Sequence, residues 1–91
     1  MKKGDDRIRE LAEQKGLDYD VLCAAINEYG AKEHIYGSKE AGCQAASRVA
    51  YNDLKALGDV EGALELREEA HKYVQAAEEY WAATDRERAE E

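Results

Sequence analysis

The chain contains no proline, no phenylalanine and only two cysteines among its 91 residues. Without proline, nothing in the sequence forces a helix to break. Two cysteines cannot form a disulfide framework, and Cys23 and Cys43 are predicted to be buried free thiols. No apolar run approaches the length of a membrane span, and no apolar signal region follows the first charged residues. We therefore expect a cytoplasmic protein.

Large apolar residues are also scarce, since leucine, isoleucine and valine together number 14. With a net charge of −8, this composition approaches that of disordered chains. The sixteen alanines act in the opposite direction, because alanine enters a helix at the lowest entropic cost. We expect a single folded domain over residues 1–91, with frayed ends at 1–3 and 84–91 and a thin core. A second copy or a partner is an alternative way to complete that core.

Apolar residues recur at helical spacing along four stretches. The first runs from an N-cap at Asp5 to Lys15, and the second starts at Asp18 and is ended or bent at Gly30, with residues 31–36 continuing as a helical turn. The third begins after Ser38, and Gly58 ends it. The fourth is predicted from an N-cap at Asp59 through the acidic residues to the end. The pattern predicts an all-α bundle of three to four helices, built around an antiparallel hairpin that turns at Gly58.

The hairpin carries a recognisable local pattern. The stretch Leu-Gly-Asp-Val-Glu-Gly-Ala over 57–63, followed by Ala70, has a tight turn and small packing residues. In these residues the segment from about Ala46 to Tyr73 resembles one tetratricopeptide-like helix pair. The resemblance covers about a third of the chain and implies an antiparallel hairpin.

The first two helices contain a second pattern: Ala12, Gly16 and Leu22 have the spacing of a tight helical corner. In this spacing, residues 8–25 resemble the helix-turn-helix of phage repressors, which implies DNA binding. The second helix, however, offers Asp18, Asp20 and Glu28 from 18 to 29, with no lysine or arginine for phosphate or guanine. A DNA-binding regulator is therefore kept as an alternative function.

Residues that could support chemistry are few. Neither serine lies in a glycine-flanked strand-to-helix turn, and Cys23 lies mid-helix among apolar residues. Glu68 and His71 have the Glu-x-x-His spacing of di-iron bundles, which need two such motifs, so a metal-binding homodimer is a second alternative. The sequence predicts a non-catalytic protein without a cofactor or metal.

Aromatic residues suggest an interaction surface, because all seven are tyrosine or tryptophan, which suit surfaces with one dry and one wet edge. On the last helix, Tyr73, Val74, Tyr80 and Trp81 extend beyond the part that the shorter third helix can cover. The first two helices, a second copy or a partner must cover this overhang. We call these four residues the aromatic face and predict that it binds a partner protein.

Acidic residues occupy the far side of the same helix, and residues 59–91 hold eleven acidic and four basic side chains. Such a charge disfavours nucleic acids and membranes as direct partners and favours a basic protein. We predict that Glu65 and Glu69 contribute to partner binding. The sequence thus predicts a small acidic regulator or inhibitor, which could imitate nucleic-acid phosphates as small phage-encoded inhibitors do.

Overall fold

The computed structural model describes the backbone of residues 4–58 and 60–90 and the side chains of residues 6–58 and 60–84. Within these residues there is no strand, and the chain folds into four helices. They are α1 (Gly4–Lys15), α2 (Tyr19–Tyr36), α3 (Lys39–Leu57) and α4 (Ala63–Glu90). The prediction of an all-α bundle with four helices is confirmed.

Local signals fix the ends of α2 and α3. The Asp18 carboxylate accepts a hydrogen bond from the Val21 N–H at 3.0 Å, and the Ser38 hydroxyl accepts one from the Ala41 N–H at 3.4 Å. Each therefore satisfies an otherwise unpaired donor in the first turn of its helix. Gly58 ends α3 in the left-handed conformation, with φ 75°, and its N–H donates to the Leu54 carbonyl. The predicted turn at Gly58 is thus a glycine C-cap.

Two predicted boundaries differ from the structure. The fourth helix begins at Ala63 rather than after Asp59, which itself lies outside the described residues. Gly62 adopts φ 92°, and its carbonyl accepts the first helical hydrogen bond of α4, from the Leu66 N–H at 3.0 Å. The connection between α3 and α4 is therefore longer than predicted. At the start of the chain, α1 already includes Gly4. For Gly30 an end or a bend of the second helix was predicted, and the structure excludes the end, because α2 continues to Tyr36.

The terminal segments were expected to fray. Residues 1–3 and 91 lie outside the described residues. The backbone of α4 remains helical to Glu90, so the helix includes most of the stretch from 84 onward.

Helix directions follow from a few long-range contacts. Asp18 meets Tyr73, and Ile26 meets Trp81, so α2 and α4 run in the same direction. Cys43 on α3 meets Glu78 on α4, although the end of α3 is joined to the start of α4. The helix α3 is therefore antiparallel to α4, as the hairpin pattern predicted.

The core lies mainly among α2, α3 and α4, and seven of its sixteen buried residues are alanines. Small residues let the helices approach closely: a Cβ at Gly42 of α3 would lie 2.9 Å from the Tyr29 carbonyl oxygen of α2. The helix α1 adds Ile8 and Ala12 to the core. The thin supply of large aliphatic residues is thus offset by close helix packing.

Candidate functional site

Two members of the aromatic face are core residues. Tyr73 is 3% exposed and Val74 is 6% exposed. The Tyr73 hydroxyl accepts a hydrogen bond from the Asp18 backbone N–H at 2.9 Å, which ties α4 to the start of α2. A buried tyrosine needs such a partner for its hydroxyl. These two side chains are committed to the interior and present almost no surface to another molecule.

The other two members, Tyr80 and Trp81, are partly buried. The Trp81 indole N–H donates to the Ile26 carbonyl at 2.9 Å, and its ring lies directly on Gly30 of α2. Tyr80 borders a groove of about 430 Å³ between α1 and α4, together with Leu11. The first two helices, a second copy or a partner were the expected covers for these residues, and in the structure α1 and α2 lie against them. Binding of a partner to the remaining surface of Tyr80 and Trp81 stays a prediction.

The acidic side of α4 divides into two halves. In the C-terminal half, Glu78 accepts from the Cys43 thiol at 2.9 Å, and Glu79 forms an ion pair with Lys15 at 2.6 Å. These acids help to hold α3 and α1 on α4. Farther toward the N-terminus, Glu69 is half-buried and forms an ion pair with Lys72 at 2.8 Å.

Glu65 and Glu68 differ from these acids, because both are exposed and neither has a hydrogen bond or ion pair within the described part of the chain. Glu61, just before the helix, is exposed as well. Residues 53–68 hold five acidic and two basic side chains, so this end of the bundle is negatively charged. Glu61, Glu65 and Glu68 form no described hydrogen bond or ion pair that holds the helices together.

Exposed leucines lie at the same end. Leu57, the last residue of α3, is 51% exposed, and Leu64, in the first turn of α4, is 70% exposed. We call Leu57, Glu61, Leu64, Glu65 and Glu68 the acidic corner. Leu57 has the helical spacing of the other apolar residues of α3, which from the sequence alone indicates burial. The sequence does indicate that Leu64 is exposed, because Leu64 lies outside the helical repeat of Leu66, Ala70 and Tyr73, which are the buried residues of this part of α4.

A polar cluster joins three helices near the middle of α4. The Cys43 sulfur lies 3.7 Å from the Tyr29 hydroxyl and 2.9 Å from the Glu78 carboxylate. Burial and the hydrogen bond to Glu78 raise the pKa of the Cys43 thiol above its ordinary value. The thiol is therefore kept protonated, which disfavours nucleophilic chemistry. Both cysteines are free, but they are half-buried rather than fully buried as predicted.

The helix-turn-helix spacing corresponds to a tight corner between α1 and α2. Gly16 adopts φ 66°, and the Leu17 N–H donates to the Ala12 carbonyl at 2.8 Å, the glycine-capped end typical of helices. Asp18 and Asp20 are exposed at the start of α2. They would repel the phosphates that a recognition helix must approach.

The metal alternative depends on Glu68 and His71, which are both exposed on α4. Among the described residues, no three histidine, cysteine, aspartate or glutamate side chains come together as ligands of one metal ion. No described helix is both long enough and apolar enough to cross a membrane.

Comparison of the chain with protein-family models, curated proteins and solved structures finds no match. The tetratricopeptide-like and helix-turn-helix patterns therefore remain local resemblances.

Proposed function

We propose that the protein is a non-catalytic cytoplasmic regulator or inhibitor that binds a basic partner protein through the acidic corner. The observation that carries this proposal is that two exposed leucines lie at the same end of the bundle as Glu61, Glu65 and Glu68, which form no ion pair with a described lysine or arginine. Apolar side chains supply the area that a partner can bury, and the acids select its charge. A nucleic-acid-binding protein has the basic surface that this corner would complement.

The corner replaces the aromatic face as the proposed centre of the contact. Binding to Tyr73 or Val74 would require unpacking α4 from α2, whereas Leu57 and Leu64 are accessible as they stand. Glu65 stays in the proposed surface. Glu69, which is half-buried and paired with Lys72, lies one turn farther along and contributes at most at the rim.

The test uses two variants of equal charge. Glu65→Lys with Glu68→Lys reverses the charge of the corner, while Glu13→Lys with Asp20→Lys reverses two exposed acids elsewhere. Tagged wild-type protein and both variants are used to capture partners from nuclease-treated host lysate, and the affinity of each candidate is then measured with purified components. We expect the corner variant to bind at least about tenfold more weakly, equivalent to about 1.4 kcal/mol. The control variant should bind like the wild type.

A third variant, Leu57→Ser with Leu64→Ser, tests the apolar contribution. The proposal requires a partner with a basic surface, weaker binding at high salt and loss of binding in both corner variants. It is contradicted if the captured protein binds all variants equally or if no protein binds. Direct binding to duplex DNA that weakens steeply with salt would instead support the DNA-binding alternative.

A further inference from the structure

A cavity of about 260 Å³ opens where the C-terminal halves of α2 and α4 meet the start of α3. It is lined by one hydroxyl, two carboxylates, one ammonium and two apolar walls: Tyr29, Glu33, Glu78, Lys39, Trp81 and Ala82. Lys39 and Leu57 are the first and last residues of α3, so the cavity and the acidic corner are separated by about 27 Å. The cavity is therefore a second site, independent of the proposed function.

Tyr29 places a buried hydroxyl at this cavity, since its side chain is 3% exposed. The only described partner of this hydroxyl is the Cys43 sulfur at 3.7 Å. A thiol has one hydrogen, and the shorter contact of 2.9 Å directs that hydrogen to Glu78. The hydroxyl hydrogen can then point at the sulfur, a weak acceptor, which leaves the lone pairs of the oxygen unused.

The carboxylates of Glu33 and Glu78 both place negative charge near the Tyr29 hydroxyl. Burial raises the pKa of the Tyr29 hydroxyl well above its ordinary value, and Cys43 and the negative charges of Glu78 and Glu33 raise it further. Both charges also raise the pKa of the Cys43 thiol, after burial and the Glu78 hydrogen bond. Glu33 is half-buried and has no ion pair within the described residues. Three oxygen acceptors with spare capacity thus border one small cavity.

The other two walls of the cavity, Trp81 and Ala82, are apolar and suit the methylene chain of an organic cation. The indole of Trp81 is fixed by its hydrogen bond to the Ile26 carbonyl and by contact with Gly30. An aromatic ring attracts a cation placed over its face and packs well against methylene groups. Lys39 is the one cation in the lining, but it forms no ion pair with a described carboxylate.

We propose that this cavity binds a primary ammonium group, carried by a free alkylamine or by a lysine side chain. The three N–H donors of the ammonium match the acceptors of Tyr29, Glu33 and Glu78. Its methylene stem lies along Trp81 and Ala82. The nearby Lys39 charge competes with the ligand and sets a moderate affinity.

Trp81 is the only tryptophan of the chain, so its fluorescence reports on the cavity directly. Butylamine hydrochloride and N-acetyl-lysine methylamide are titrated at constant ionic strength and neutral pH, with tetramethylammonium as a cation of equal charge that has no N–H donor. We expect saturable binding of the primary amines and at least about tenfold weaker binding of tetramethylammonium, because it forfeits charge-assisted hydrogen bonds. Tighter binding of the lysine derivative than of butylamine would identify a protein side chain as the source, and the reverse order would identify a free amine.

A matched pair of variants separates a local contact from a general charge effect, because Glu33→Gln and Glu13→Gln remove the same charge but only Glu33 lines the cavity. Glu33→Gln should weaken amine binding by about tenfold, whereas Lys39→Gln should strengthen it by a few fold, since it removes the competing charge. Glu13→Gln, an exposed acid on α1, should change nothing. Circular dichroism checks that each variant is folded, and the NMR signal of the indole N–H provides a second measure of binding. The proposal is overturned if no amine gives saturable shifts by either method, or if Glu33→Gln leaves amine binding unchanged.

Discussion

Replacing Gly30 with alanine tests how the structure covers its aromatic residues. In an ordinary helix this change stabilises by about 1 kcal/mol, because glycine is a poor helix former. Here the added Cβ would lie 2.4 Å from a ring carbon of Trp81, whereas carbon atoms in contact are about 3.5–4.0 Å apart. The indole must move, and that movement strains its hydrogen bond to the Ile26 carbonyl. Overpacking costs about 1–3 kcal/mol and the hydrogen bond about 1 kcal/mol, so we expect a net loss of about 1–3 kcal/mol.

Urea unfolding followed by circular dichroism measures this loss, and a red shift of the tryptophan emission would report the displaced indole. The matched control repeats Gly30→Ala in a Trp81→Leu background. There the clash is absent, and alanine should recover its ordinary gain of about 1 kcal/mol. A Gly30→Ala variant that is more stable than the wild type would refute the packing of α4 on α2 and, with it, the covered state of the aromatic face.

Two further predictions concern the hydroxyl of Tyr73 and the thiol of Cys43. Tyr73→Phe removes the acceptor of the Asp18 N–H and should lower the free energy of unfolding in urea by about 1 kcal/mol. The control is Tyr51→Phe, which should cost less because the Tyr51 hydroxyl has no described partner. Equal losses in the two variants would contradict the assignment of this hydrogen bond. The raised pKa of the Cys43 thiol means that the folded state holds this proton more tightly than the unfolded state. Its stabilising contribution is therefore fully present below about pH 8.5 and is lost as the pH rises. Cys43→Ala should flatten the alkaline fall in the free energy of unfolding, and a wild-type stability that rises above pH 9 would contradict the reasoning.

The fold was predictable to the extent that it depends on local chemistry. Apolar spacing identified all four helices, and the caps at Asp18, Ser38 and Gly58 lie where the residue types suggested. The start of the last helix was not predictable in this way. Asp59 is a favourable N-cap, and Gly62 is a weaker one, yet the helix begins after Gly62. A local preference of about 1 kcal/mol is small enough for tertiary packing to override.

The candidate site was less predictable, because exposure depends on how the helices are arranged. Helix lengths correctly indicated that α3 is too short to cover all of α4, but they could not show that α2 runs parallel to α4 and lies over Trp81. The contact uses Gly30, which the sequence suggested as an end or a bend of the helix. The same glycine is instead the position where the indole approaches the backbone. A residue chosen for close approach and a residue chosen for a turn are indistinguishable in a single sequence.

The acidic residues of α4 acquire different roles from their positions along the helix. Toward the C-terminus, Glu78 and Glu79 are engaged with Cys43 and Lys15, so removing either charge would alter contacts between helices. Toward the N-terminus, Glu65 and Glu68 form no hydrogen bond or ion pair with another described helix, and their interactions are local to α4: Glu65 lies in its first turn, and the charge of Glu68 acts on Lys72. Because neither acid forms a described hydrogen bond or ion pair with another helix, reversing both should cost only local helix stability, about 0.3–1 kcal/mol for each charge. This difference makes the acidic corner the part of α4 where a binding defect can be separated from a folding defect.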